Sequence, residues 1–311
     1  MCNKMVTFVF PGQGSQDKGM GKEFYEKFPL VRELFGKAKE ILGWDIYTLI
    51  FSKREEELSR TIFTQPSIYL ISYSIFKLWE EKGGRLPDYV MGHSLGEYTA
   101  LAASEVFSFE DGLELVEKRA KLMDKAKKGT MAAIIGLERE KVEEIVTEAK
   151  AKGVVTCANY NSPQQIVISG EVSALKYAEE LAKKSGARRV VYLKVSGAFH
   201  SPLMEELTCE FAREVSKVKF NTPRFPVIFN VTAREESSPE NIKKNLTLQL
   251  TYPVRWEESV LYLGGKGVNT FVEIGPGKVL GSLIKRTVKE SKVFATDTID
   301  LFEDAIKKVG G

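Results

Sequence analysis

Short apolar runs alternate along the chain with longer stretches in which apolar residues recur every three or four positions among charges. The first run, residues 6–10, is β-branched and aromatic and stops at Pro11-Gly12-Gln13-Gly14, the composition of a buried strand that delivers a loop. Helical periodicity follows over 22–42 and 67–82, and strand character returns at 87–91. The small-residue run 97–103 and the charged stretch 112–125 predict further helices, and 271–274 predicts a late strand turned by Gly275-Pro276-Gly277 into a helix over 279–289. Strand and helix in alternation predict an α/β fold built on a mostly parallel sheet.

Between 129 and 195 the rhythm changes. Strand-like 130–135, a charged helix over 138–151, paired strands around 156–158 and 165–169, a helix over 174–184 and a strand over 189–194 make a βαββαβ order, the ferredoxin-like split unit. We read 129–195 as a small ferredoxin-like subdomain inserted into a large hydrolase-like catalytic domain of residues 1–128 and 196–311. The 311 residues suit this, since about 150 per unit suggests two.

Composition narrows the function classes. Lys and Arg total 45 against 42 Asp and Glu, and a net charge of +3 is too small and too dispersed to point to nucleic acid. Cys2, Cys157 and Cys209 show no CxxC spacing and the chain holds two histidines, which supports neither a disulfide framework nor a metal site and makes a reducing, cytoplasmic setting the expectation. The apolar run at 5–10 is too short for a signal-peptide core, and no stretch approaches the ~20 apolar residues of a membrane span. The glycosylation-like triplets at Asn230 and Asn245 therefore carry no weight.

Chemistry concentrates in three segments. Gly92-His93-Ser94-Leu95-Gly96 is a G-x-S-x-G pattern with a predicted strand before it and a predicted helix after it, the setting of a serine on a sharp elbow. Glycines on both sides leave room for an acyl group, and the helix N-terminus puts a partial positive charge where an oxyanion would form. The plainer alternative is a tight turn whose serine caps a helix. A serine hydroxyl needs a base. His93 adjoins the serine and should point away from its hydroxyl, whereas His200 lies in Gly197-Ala198-Phe199-His200-Ser201, a loop after a strand, and is the better candidate although it could also cap the next helix. No Asp or Glu stands out as a third triad member, so the group orienting His200 is expected to be a backbone carbonyl. The loop around Gln13 has Asp17 where a dinucleotide fingerprint wants a third glycine. It suits delivery of a backbone N–H to an oxyanion, or an ordinary strand-ending turn.

With these segments in view the chain resembles the malonyl-CoA:acyl-carrier-protein transacylases of fatty-acid synthesis over essentially its whole length. The likeness rests on residues 10–16, Thr64-Gln65-Pro66, residues 92–98, Arg119, Asn159-Tyr160-Asn161, residues 197–201, Asn230-Val231-Thr232, Gln249 and residues 275–277, in the family's order. It implies Ser94 as nucleophile, His200 as base, the backbone N–H groups of Gln13 and Leu95 as oxyanion hole, and Gln249 orienting His200 through its main-chain carbonyl. It also implies that Arg119 holds the malonyl carboxylate, with Gln65, His93, Asn159, Asn161 and Phe199 lining the substrate site. A guanidinium fork suits a free carboxylate. Read without the resemblance, Arg119 is one of several basic residues on an exposed helix face. Ala198-Phe199-His200 looks like the malonyl rather than the methylmalonyl form.

The resemblance further implies malonyl-CoA as substrate with no bound cofactor, and a phosphopantetheinylated acyl carrier protein as partner. Such carriers are acidic, so Lys125, Lys127, Lys128, Arg188 and Arg189 are candidate docking contacts, although each reads more readily as ordinary soluble surface. Two rivals remain. A serine hydrolase or thioesterase would share the elbow and be favoured by an Asp or Glu bonded to His200, and a non-catalytic carrier-binding module would form no acyl-serine.

Overall fold

The computed structural model describes residues 5–51, 55–126 and 128–310; Cys2 and Lys127 fall outside them. Among the described residues ten strands form two sheets: β1 Val6–Phe10, β2 Tyr89–Gly92, β3 Thr130–Ile135, β4 Val155–Ser162, β5 Gln165–Gly170, β6 Arg189–Tyr192, β7 Val227–Ile228, β8 Glu235–Glu236, β9 Thr270–Glu273 and β10 Lys292–Ala295. The larger sheet runs β10-β9-β1-β2-β7-β8, parallel throughout except where β8 turns back on β7. The smaller runs β4-β5-β3-β6 with every pairing antiparallel. This is the α/β architecture that the alternation of patterns predicts.

Helices cover both faces of the large sheet, so its strands read as continuous apolar runs. Phe8 and Phe10 of β1 meet Phe76 and Trp79 of the helix Thr61–Glu81 edge to face, with Phe8 and Trp79 centroids 5.2 Å apart. Val9 points the other way, into a second cluster with Trp256, Phe271 and Leu283. The small sheet alternates more strictly. Ala132, Ile134, Ile166 and Ile168 pack beneath the helices Arg139–Ala149 and Val172–Lys184, whereas Met131, Ala133 and Val167 face the large unit. The two units are joined by backbone, since Val254 N–H donates to Ala158 O at 2.8 Å and Tyr160 N–H to Val254 O at 2.9 Å.

Two helices depart furthest from the expected boundaries. The helix predicted over 22–42 is two, Lys22–Lys27 and Pro29–Leu42, because Phe28 before a proline takes extended backbone. The helix expected from 67 begins at Thr61, so Pro66 lies in its second turn rather than before its start. That early start carries Gln65 into the cleft.

Candidate active site

Strand β2 ends at Gly92 and the helix Gly96–Ala103 begins four residues later, so Ser94 sits at the crest of a tight reversal with φ 52°. That left-handed conformation is costly for a residue with a Cβ. The surrounding backbone leaves no room to relax: a Cβ on Gly96 would lie 2.0 Å from Phe10 O, and one on Gly12 would lie 2.3 Å from His93 O. These contacts seat the loop after β1 directly on the elbow. Asn230, just beyond β7, accepts from Ser94 N–H at 2.7 Å and donates to Gly92 O at 2.7 Å, bracing the reversal from both sides.

His200, also left-handed at φ 54°, places Nε2 2.8 Å from Ser94 Oγ. Its Nδ1–H donates to Gln249 O at 2.6 Å, which leaves Nε2 as the acceptor of the serine proton. Burial, and then the positive charge of Arg119, push His200 down to about 3, so the imidazole stays neutral and able to take a proton. His93 is held elsewhere, its Nε2–H donating to Asn161 Oδ1 at 2.8 Å.

Arg119 is 1% exposed, which overturns the solvated-face reading of its helix position. The helix Phe109–Lys125 packs on Thr61–Glu81 and turns this residue inward. Nη1 donates to Gln65 Oε1 at 2.7 Å, and Nη2 donates to Ser94 Oγ at 2.9 Å and Gln249 Oε1 at 3.1 Å. A buried cation thus touches the serine oxygen itself.

The cleft holding these groups has a volume of about 240 Å³ and lies between the two sheets. Gln13, Leu95, Asn159 and Phe199 line it along with the residues above, and Met131, Ala133, Val167, Leu193 and Leu283 make its apolar walls. Gln249 stands behind, fully buried. Among the described residues the peptide N–H groups of Gln13 and Leu95 donate to no protein acceptor, and both residues border the serine. The arrangement can transfer a proton from Ser94 to His200, receive an oxyanion between two N–H groups, and pair an anion on the acyl group with Arg119.

A model of the acyl transferase domain matches residues 7–302. The chain belongs to the acyl transferase domain family. The malonyl CoA-acyl carrier protein transacylase of Bacillus subtilis is 41% identical over 306 residues, 97% of this chain and 96% of its own. The structure of the corresponding Coxiella burnetii transacylase superposes with a TM-score of 0.96 at 38% identity, covering 99% of both chains. A type II polyketide acyl carrier protein in complex with its malonyl-transacylase gives a TM-score of 0.95 at 39% identity, covering 98% of this chain and 99% of the other.

Within this acyl transferase, the carboxylate that would have favoured a hydrolase does not reach His200. The nearby Glu97 is fully buried and turned away, its Oε1 accepting from Gln249 Nε2 at 2.9 Å and its Oε2 from Asn230 N–H at 2.5 Å. Burial pushes its carboxyl up to about 8, against the opposing pull of those donors and of Arg119. Reasoning from sequence gave no role to Glu97 or to the Asn230 side chain. Their only signal was inclusion in the segments that carry the family likeness. Among the described residues, no group of three or more His, Cys, Asp or Glu could hold a metal, and no helix is long and apolar enough to cross a membrane.

Proposed function

We propose that this chain moves a malonyl group from malonyl-CoA to the phosphopantetheine thiol of an acyl carrier protein, supplying extender units for fatty-acid synthesis. Ser94 Oγ attacks the thioester carbonyl while its proton passes to His200 Nε2; the C–S bond breaks and the coenzyme A sulfur takes that proton. The carrier thiol then attacks malonyl-Ser94, giving its proton to His200, and the proton returns to Ser94 Oγ as the acyl–oxygen bond breaks. Gln13 and Leu95 N–H groups would hold the oxyanion in both steps, and no cofactor takes part.

The observation that carries this reading is the 2.9 Å contact between Arg119 Nη2 and Ser94 Oγ. An acyl group on that oxygen starts beside a buried guanidinium, and a malonyl carboxylate two carbons further on can pair with it. A neutral acyl chain leaves the cation unmatched, which is costly in a dry cleft. The relatives' names support the same substrate and partner. Phe199 and Asn159 are proposed to shape the acyl pocket, and Lys125, Lys128, Arg188 and Arg189 to meet the carrier. The two lysines already have loose surface partners in Glu210 and Glu206, at 3.9 Å and 3.8 Å. The division into 1–128 with 196–311 and 129–195 belongs to the same proposal and is supported by the separate apolar core of the small sheet. A cytoplasmic setting is supported by the free thiols of Cys157 and Cys209.

The test is to mix the protein with malonyl-CoA, quench in acid within seconds and map any added malonyl group by intact and peptide mass spectrometry. One malonyl group on the Ser94 peptide, absent in Ser94→Ala and discharged by a carrier thiol, is expected. Substrate consumption with neither protein labelled would move the hydrolase reading ahead.

A further inference from the structure

Gln249 has two ends, and its neighbours decide which faces which way. Its carbonyl oxygen accepts from Arg119 Nη2, while its amide nitrogen donates to Glu97 Oε1 and to Ser94 O, the latter at 3.1 Å. An ionised carboxylate can only accept. Both Glu97 oxygens accept N–H donors here, so above a pH of about 8, where the carboxylate is ionised, the amide presents NH2 downward and oxygen upward to the guanidinium. The other oxygen of Glu97 takes the peptide N–H of Asn230, whose side chain braces Ser94. One buried carboxylate therefore anchors two arms, one ending on the cation and the other on the nucleophile.

We propose that Glu97 is a positioning residue that sets the polarity of the Gln249 amide and, through it, aims Arg119 at the acyl carboxylate. The proposal rests on the reading of Arg119 given above. Glu97 touches neither Ser94 Oγ nor the acyl pocket, and it is absent from the residues that line the cleft. Its influence travels through hydrogen bonds whose direction is fixed by chemistry rather than by packing. In Glu97→Gln the new side chain is the same size but carries a donor. If its oxygen keeps Asn230 N–H, its NH2 meets the NH2 of Gln249, which must flip to recover a bond. The flipped amide then turns two hydrogens against Arg119 Nη2, and the guanidinium loses a partner and its direction. The Asn230 arm is retained, so the nucleophile is less disturbed than the cation.

This predicts a change in acyl preference rather than a general loss. The experiment measures kcat/KM for malonyl-CoA and for acetyl-CoA in the wild type, Glu97→Gln and Glu97→Asp, at a pH above the Glu97 value of about 8 so that the carboxylate is ionised, with the melting temperature of each. Glu97→Gln is expected to lower the malonyl-to-acetyl ratio by about tenfold or more, the consequence of misdirecting one hydrogen bond to a charged group. Glu97→Asp keeps an acceptor-only end, so its ratio should stay closer to that of the wild type even where its shorter side chain lowers the melting temperature. A packing role makes the opposite forecast, because Gln preserves volume and Asp does not. A ratio in Glu97→Gln within twofold of the wild type, or a larger loss of ratio in Glu97→Asp than in Glu97→Gln, overturns the proposal. If Glu97→Gln fails to fold, a tenfold loss of ratio in folded Glu97→Asp overturns it as well. A wild type that shows no preference for malonyl overturns this inference together with the reading of Arg119, whereas a preference left intact in the variants overturns this inference alone.

Discussion

The two sheets contribute different materials to one cleft. From the six-stranded side come the groups with charge or reactive protons: Ser94 at the end of β2, Arg119 and Gln65 on adjacent helices, and His200 and Gln249 on the segments after the small sheet, tied together by bonds of 2.6 to 3.1 Å. The four-stranded side contributes an apolar wall, Met131, Ala133 and Val167, beside the polar Asn159 and Gln165 and a strap in which Asn161 accepts from His93. A parallel sheet with covered faces leaves its strand ends as the place where loops can converge, and the reactive groups gather there. An antiparallel sheet with helices on one face has its other face to offer as a wall. The chemistry and the shape of the site are therefore separable, and substitutions on the two sides should fail in different ways.

The largest effect should come from Arg119→Ala. Removing the cation leaves Gln65 and Gln249 without their donor and a malonyl carboxylate unpaired in a dry cleft, a loss of about 3 to 5 kcal/mol for one partner of a buried pair. Malonyl transfer should fall by roughly a hundred- to a few thousandfold, while acetyl transfer falls far less or rises. Steady-state kinetics with both thioesters check this. Equal losses for the two would mean that the six-stranded side does not separate charge recognition from nucleophilic chemistry.

On the other side, Ile134→Ala strikes the face of the small sheet turned away from the cleft, where Ile134 packs beneath the two helices. Truncating a fully buried isoleucine costs about 2 to 5 kcal/mol. Denaturant melts should show this loss, with kcat/KM of the folded fraction nearly unchanged for either thioester. A change in malonyl preference would show instead that the small unit's core is coupled to the charged floor.

How much of this contrast is legible in the sequence follows the same division. Apolar alternation marks the small sheet and predicts its βαββαβ order, because a strand buried on one face must alternate. The elbow is legible because Gly92 and Gly96 flank a serine between a strand and a helix. Arg119 is not, because its neighbours Lys118 and Lys121 make its helix look like a solvated face, and only packing against the helix Thr61–Glu81 shows that this one side chain turns inward. Gln249 and Glu97 are equally silent in local pattern: their bonds run to residues far away in sequence, and nothing in a period of two or 3.6 records them. The split helix at Phe28 and the early start at Thr61 mark the limit of reading a proline as a simple stop.

The pH dependence probes the charged floor without substitution. In the proposed mechanism a neutral His200 accepts the Ser94 proton, and its value of about 3 means that kcat/KM should not fall through the ordinary histidine range near 6.5 as the medium is acidified. Part of that depression comes from Arg119. A malonyl carboxylate on Arg119 cancels that part, so the acid limb of kcat, which reports the bound enzyme, should lie at higher pH than that of kcat/KM. With acetyl-CoA the two limbs should lie closer together. The stability sign is the usual one for a depressed histidine. Between about 3 and 6.5 the unfolded chain binds a proton that the folded one refuses, so this group's contribution favours folding above 6.5 and turns against it as pH falls. Coincident kcat and kcat/KM limbs for malonyl would break the link between Arg119 and His200.

The smallest effect belongs to the strap between the two sides. Asn161→Ala removes the acceptor of His93 Nε2–H and leaves that donor facing the cleft. A fully buried orphan donor costs about 1 to 3 kcal/mol, but His93 borders the cleft, where water can take the place of Asn161, so the lower end applies. Both thioesters should lose severalfold in kcat/KM, and by the same factor, because Asn161 sits on β4 and none of the bonds of Arg119 reach it. An unequal loss would mean that the strap helps to place the acyl carboxylate, and the small sheet would then have to be counted among the elements that recognise charge. An equal and modest loss, beside the large and selective one at Arg119, is the pattern expected if one sheet supplies the chemistry and the other the wall against which it works.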